Sequence, residues 1–475
     1  MTSRDWSVPE DFLFGPDARV RDTALDLYRE VEGLGLVCPH GHVSPRLLAD
    51  PDARFANPTE LLVKDDHYLF RLLYSQGVPL EALGVGQAPG SYDPVRAWEV
   101  FCAHFHLFDG TPSGLWLRIE LTRLFGVKEK PDADNARRVY DQIQGCLDTP
   151  DFTPRALFRR FGIEVLATTD AAEDSTEPHR QAQADGYRVI PTFRPDGLLQ
   201  MNLPGWKGKL ERLEQVTGRS IGSYRELLDA LRERRQAFKA AGATATDHGA
   251  ASPDISPLSE HEAESLFDLA LGGRLTPEQA RRLEGHALFD QARLSAEADG
   301  LVMQLHVGST RNHNRELFEK YGPDMGADIP HRVNWTGGLR PLLDAFGNHT
   351  EGRELHAILF TLDESTYSRE LAPLAGHYPG LRLGPPWWFH DSVRGIERYL
   401  DAVTETATLH NTAGFNDDTR AFPSIPARHE VWRRTVCHWL AGQVGRGILD
   451  QPEASRLARM AARDLAVRAY RLDLN

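Results

Sequence analysis

The sequence predicts an α/β chain whose parallel strands close most economically into an eight-stranded (β/α)8 barrel. Two observations carry that expectation. Seven short apolar runs, each bounded by Gly, Pro or Asp, alternate with helical or loop-like stretches, the pattern of βα units. The first run is followed at once by His40-Gly41-His42, where a barrel builds its active site at the carboxyl end of a strand.

The runs lie at 34–38, 164–168 (EVLAT), 188–191 (RVIP), 301–307 (LVMQLHV), 355–361 (LHAILFT), 381–383 and 408–415 (TLHNTAGF). Seven runs leave one barrel strand without a signal. Between the first two, residues 43–162 are mostly amphipathic helix, for example 93–106 and 136–146, and read as a helical insertion. Residues 205–300 read as a second. Inside it, 240–257 (AAGATATDHGAASPDISP) is small-residue and Pro-containing, which predicts an exposed, mobile loop. Residues 427–472 read as two or more helices closing the barrel. No internal repeat is visible, so residues 1–475 are expected to form a single elaborated domain.

Composition narrows the function. A hydrophobic content of 41% and a charged content of 26% are those of a globular chain. A formal charge of −14 argues against nucleic acid or an anionic membrane as the main partner. A small anionic substrate stays possible, because two local arginines override the net field. The four cysteines, Cys38, Cys102, Cys146 and Cys437, have no CxxC spacing and fit a reducing cytoplasm. The opening Met1-Thr2-Ser3-Arg4-Asp5-Trp6 lacks the plan of a signal peptide. No apolar stretch reaches the roughly 18 residues needed to span a bilayer. The expected location is cytoplasmic.

In a strand, histidines at i and i+2 project to one side, so His40 and His42 make half of a metal site. First and last strands of a closed barrel are neighbours, which brings Asn416-Asp417-Asp418-Thr419-Arg420 to the same place. Two imidazoles and one carboxylate form an open site for one divalent ion, zinc in the first instance, with Mn, Fe, Co or Ni also suited. Asp before a helix commonly caps it. The capping role is assigned to Asp417 and the ligand role to Asp418.

Seven segments in order then carry a resemblance. They are Cys38-Pro39-His40-Gly41-His42, Asp65-Asp66-His67-Tyr68, Thr168-Thr169-Asp170, Pro191-Thr192-Phe193-Arg194-Pro195-Asp196, Met303-Gln304-Leu305-His306-Val307-Gly308, Trp387-Trp388-Phe389, and Asp418-Thr419-Arg420 ahead of Arg428-His429-Glu430. The chain resembles the uronate (glucuronate) isomerases, a divergent branch of the amidohydrolase superfamily, over nearly its whole length. The resemblance implies a distorted (β/α)8 TIM-like barrel with large helical insertions. It also implies aldose–ketose isomerisation of hexuronates: D-glucuronate to D-fructuronate and D-galacturonate to D-tagaturonate, in bacterial uronic acid catabolism. A homo-oligomer is expected from size and family.

By the same resemblance Asp418 is both a metal-side carboxylate and the candidate base for the C2 proton, two roles that compete. His67 and Tyr68 would serve as acid, oxyanion partner or hydroxyl ligands. Arg194 and Arg420 would hold the C6 carboxylate through bidentate bonds. His306 would meet the metal or the substrate, or sit as a satisfied core histidine, and Trp388 would wall the pocket. Two departures stand out: His390 where the family usually has Asn, and Ala171-Ala172-Glu173-Asp174 where it tends to carry Asp-Pro.

A metal-dependent hydrolase of the same superfamily, acting on a sugar-acid lactone, ester or amide, is the alternative. His-x-His and a late Asp would serve it equally well. It is disfavoured because no bridging lysine is evident, and because Arg194, His67-Tyr68 and Arg420 would be superfluous. A non-catalytic sugar-acid binder would need the metal triad to be incidental.

Overall fold

A curled sheet of seven parallel strands organises the computed structural model, which describes residues 6–474. Five residues of the opening hexapeptide discussed above thus lie outside the described residues. The strands in chain order are β1 (Leu36–Cys38), β2 (Ile163–Ala171), β3 (Val189–Arg194), β4 (Ala245–Ala250), β5 (Val302–Val307), β6 (Ser309–Thr310), β7 (Ile329–Pro330), β8 (Ala357–Thr361) and β9 (Leu381–Leu383). The sheet order is β1-β2-β3-β4-β5-β8-β9, with every neighbouring pair parallel. β6 and β7 form a separate antiparallel pair. Strands β5 and β8 are buried at every position, which is why they read as unbroken apolar runs.

Three expectations need correction. Residues 240–257 are no loop: they contain β4, whose six residues are all buried. Its sequence, Ala-Thr-Asp-His-Gly-Ala, lacks an apolar run because three of its buried side chains, Thr246, Asp247 and His248, are polar. The interval 205–300 is therefore not one insertion. β4 divides the helices Trp206–Thr217 and Tyr224–Ala240 from Glu260–Leu271 and Pro277–Leu294. Residues 408–415 form no regular strand; they make a short turn, Leu409–Asn411, and a single parallel bridge from Thr412 to Leu383.

Beyond that bridge the chain returns toward the first strand, where the His42 amide donates to the Thr419 carbonyl at 3.0 Å. The long helix Ser424–Gly445 follows and is buried along most of its length, against the helix Ala18–Val31 and against Val393–Thr404. The stretch between β1 and β2 folds as successive helices, among them His67–Ser75, Pro94–Ala103, Pro112–Ile119 and Ala136–Leu147. Their apolar faces make a second core with Leu36, Cys38, Ile163 and Leu166 of the sheet edge. One of these helices reaches the site: Asp66 caps it by accepting the Tyr68 amide proton at 2.8 Å, which places His67 and Tyr68 in its first turn.

Candidate active site and metal centre

At the carboxyl ends of the strands lies a cavity of about 1040 Å³, lined by His40, His42, His67, Tyr68, Arg194, His306, Trp388, Asp418 and Arg420. Every site residue expected from sequence thus faces one space. The route by which the histidines arrive differs from strand alternation. Pairing of β1 stops at Cys38, and Pro39, which has no amide proton, cannot extend the ladder. His40 and His42 sit in the bend that follows, their rings 5.4 Å apart and nearly perpendicular.

They converge on Asp418. Its Oδ1 lies 3.6 Å from His40 Nε2 and 3.2 Å from His42 Nε2. Asp418 holds this aim with φ at +40°, a conformation costly for a residue with a Cβ and one that strained functional sites share. Burial alone would raise its carboxyl; the His42 hydrogen bond and the charges at His40, His42 and His306 outweigh burial and keep it well below the ordinary range. Burial lowers His40 to about 4 against the opposing charges of Asp418 and Asp247.

His306, at the end of β5, is stacked on Phe360 and close to His40, with ring centroids 4.1 and 5.1 Å away. Its Nδ1 lies 2.7 Å from Asp247 Oδ1, yet neither His306 nitrogen nor either Asp247 oxygen has a well-formed hydrogen bond. His40 Nδ1 is likewise buried without a partner. Unpaired buried donors and acceptors cost free energy unless a ligand satisfies them. The set of His40, His42 and Asp418, whose candidate ligand atoms all lie within 4.8 Å of one another, therefore fits a divalent cation.

On the opposite wall polar groups are tied to one another. Trp388 Nε1 donates to His67 Nε2 at 2.5 Å, so the neutral imidazole carries its proton on Nδ1. Burial first, then the Arg420 charge, lowers His67 to about 3. Tyr68 Oη donates to Asp391 Oδ2 at 2.9 Å, and burial with the Asp391 charge raises the phenol well above its usual range. Arg428 donates to the same Asp391 oxygen at 3.2 Å and lies 3.9 Å from the Trp116 ring centre. The backbone bends sharply here too: φ is +38° at Trp388 and +66° at Phe389. His390 is buried beside Tyr367 and does not line the cavity.

The arginines are partly committed. Arg194 Nε donates to Asp196 Oδ2 at 2.8 Å and its Nη1 lies 3.3 Å from Asp247 Oδ2. Arg420 Nη2 donates to Asp324 Oδ2 at 2.7 Å, with 36% of its side chain exposed. Arg311 also faces the cavity, over the rings of Trp387 and Trp388.

Sequence reasoning missed Asp247, Arg311 and Asp324, and met Asp391 only as the residue following His390, without a role. Arg428 stood within a recognised motif without a role. The one available signal was chemical: an Asp-His-Gly flanked by small residues is an odd composition for a loop, and it marks β4. The capping role for Asp417 is overturned. The helix starts at Ser424 behind Pro423, seven residues downstream of Asp417. Asp417 is instead fully buried, its Oδ2 3.3 Å from His429 Nε2, which lies 3.7 Å from Cys38 Sγ.

Comparison with known proteins identifies the family. Residues 8–469 match the model of the glucuronate isomerase family. A uronate isomerase of Nostoc punctiforme is 55% identical over 466 residues, covering 98% of each chain. The crystal structure of glucuronate isomerase from Caulobacter crescentus superposes with a TM-score of 0.96 at 47% identity, covering 99% of this chain and 98% of that one. A uronate isomerase from Thermotoga maritima superposes with a TM-score of 0.90 at 27% identity, covering 98% and 99%.

Proposed function

Because the chain belongs to the glucuronate isomerase family, we propose that its cavity is the site of aldose–ketose isomerisation of hexuronates. It is an isomerase of uronates, with D-glucuronate/D-fructuronate and D-galacturonate/D-tagaturonate as the pairs. The observation that carries the residue roles is the meeting of three groups in one cavity: the His40–His42–Asp418 cluster, the His67–Tyr68 turn, and Arg194 with Arg420.

His40, His42 and Asp418 would hold one divalent ion, zinc in the first instance. Bound there, it supplies electrophilic stabilisation of charge on the sugar oxygens. Arg194 and Arg420 grip the C6 carboxylate and fix C1 and C2 within reach of Asp418 and His67. Asp418, ionised, takes the C2 proton through the oxygen that does not face the imidazoles. The C–H electron pair becomes the C1=C2 bond while His67 gives its Nδ1 proton to O1. The O2 proton then passes to His67 as the C2 carbonyl forms, and the proton on Asp418 returns to C1. Tyr68, anchored by Asp391, orients a sugar hydroxyl, His306 accompanies His40 at the cluster, and Trp388 closes the wall and fixes the His67 tautomer.

The sheet is read as a distorted (β/α)8 barrel: Thr412 supplies the eighth strand position, and the His42–Thr419 hydrogen bond links it to the first. Size and family support a homo-oligomer, which light scattering tests. Composition supports a cytoplasmic location, and among the described residues no helix is long and apolar enough to cross a membrane.

The test of function is proton NMR of the purified protein with D-glucuronate in D2O, with and without a chelator. Ketose formation with solvent deuterium entering the product is expected. Conversion without any deuterium entry overturns the proton-transfer route. No conversion of glucuronate or galacturonate, with one equivalent of metal bound, turns the reading toward a hydrolase.

A further inference from the structure

Behind the strained Asp418 lies a second buried group that the reaction does not use. Cys38, Asp417 and His429 are all fully enclosed. They come from three places: the end of β1, the segment entering the site, and the helix Ser424–Gly445. His429 Nε2 is 3.3 Å from Asp417 Oδ2 and 3.7 Å from Cys38 Sγ, and Phe415 packs edge-on against the imidazole with ring centroids 5.0 Å apart. The Asp417 carbonyl accepts from Arg428 Nη1 at 3.2 Å. One residue beyond Asp418, the Thr419 carbonyl accepts from the His42 amide. Asp418 is thus held on both sides while its own φ stays at +40°.

We propose that Asp417, held by His429, which in turn meets Cys38, is a positioning residue that sets the aim of Asp418 at His40 and His42. The inference rests on the ligand role of Asp418 given above. Cys38 is two residues before His40, so the same grip ties the segment bearing both histidines to the segment bearing the carboxylate. Side chains of this kind, behind the atoms that hold an ion, decide whether those atoms meet at ligand spacing. Without the grip the backbone at Asp418 relaxes to negative φ and the carboxylate swings away.

The experiment compares full-length wild type with His429→Ala, His429→Gln and Asp417→Asn. It reads zinc affinity by competition with a chelator, the thermal midpoint of the metal-free protein, and kcat and KM for D-glucuronate. His429→Ala is expected to lose about 10- to 100-fold in zinc affinity, with a matching fall in kcat and a KM within about twofold of wild type. His429→Gln, whose side-chain amide still donates to Asp417, recovers most of both, and the metal-free midpoint of the Gln form stays at the wild-type value. Asp417→Asn is isosteric and serves if His429→Ala does not fold; about a tenfold loss of zinc affinity is expected from it. Wild-type affinity and kcat in Asp417→Asn overturn the proposal, as does a KM that climbs in step with the loss of kcat. Two zinc ions per wild-type chain, falling to one in Asp417→Asn, overturn it too, since the triad would then be a metal site. A wild type that neither binds zinc nor turns over uronate would instead defeat the ligand reading on which the inference stands.

Discussion

The two walls of the cavity are built on opposite principles. On the strand-end wall, His306 and Asp247 lie close together yet leave their buried polar atoms without well-formed hydrogen bonds, and His40 Nδ1 has none. On the facing wall, contributed by the helix His67–Ser75 and the bend 387–391, His67 Nε2, Tyr68 Oη and Asp391 Oδ2 are already bonded to protein, while His67 Nδ1 and Asp391 Oδ1 are left without a partner. One surface is poised for a ligand that completes it; on the other, the bonds already made fix the His67 tautomer and the Tyr68 proton and leave His67 Nδ1 open toward a ligand. A site that must accept a charged sugar and also hold protons at defined atoms needs both, because open valence binds and closed valence orients.

The largest test of this contrast is Asp418→Asn on the open wall. It should lower kcat on the order of 10³-fold, since the proposed anionic ligand and proton acceptor would both disappear. Far-UV circular dichroism should stay that of wild type; near-normal turnover would remove Asp418 from its role. Next is Arg194→Lys, for which KM for glucuronate should rise roughly tenfold, because a point charge cannot hold Asp196, Asp247 and a carboxylate at once. An unchanged KM would move the carboxylate to Arg420 or Arg311.

The closed wall should answer more mildly. Trp388→Phe removes the donor to His67 Nε2, a hydrogen bond worth about 1 kcal/mol, and should cost roughly fivefold in kcat. A loss as large as that of Asp418→Asn would erase the distinction between the walls. The smallest effect concerns Glu120, buried beneath Arg428. Burial lifts its carboxyl from 4.5 to about 8, against an opposing Ser424 hydrogen bond and the Arg428 charge. With the folded pKa above the unfolded one, its stabilising contribution is complete below pH 4.5 and is lost as pH rises through 8. Glu120→Gln should therefore gain stability relative to wild type between pH 5 and pH 8, which urea denaturation at the two values measures.

The contrast also explains what could be read from the amino acids alone. The meeting of His40, His42 and Asp418 in one place was legible because metal-binding chemistry uses few residue types, and His-x-His at the end of an apolar run is uncommon. His67, Tyr68, Arg194, His306, Trp388 and Arg420 came from resemblance, not from periodicity. Asp247 was hidden because β4 carries polar groups where a buried strand normally carries Val or Ile, so the hydrophobic pattern that reveals its neighbours is missing. Residues 408–415 misled in the opposite sense. Their apolar character reflects burial beside the sheet, and only Thr412 pairs with it. Asp417 and Asp418 are adjacent in sequence yet serve opposite sides of one backbone, a difference set by the positive φ that composition does not reveal.

The hydrogen bond from Trp388 to His67 has a consequence for descent. Its donor follows the last paired strand of the sheet and its acceptor belongs to the helices between β1 and β2, 321 residues earlier in the chain. The helical region is therefore not an ornament added to an independent sheet. A crossover that imported a foreign segment there would carry away His67 and Tyr68 and strand Trp388 without an acceptor. The two regions are therefore coupled: a change at either end of this hydrogen bond is felt at the other.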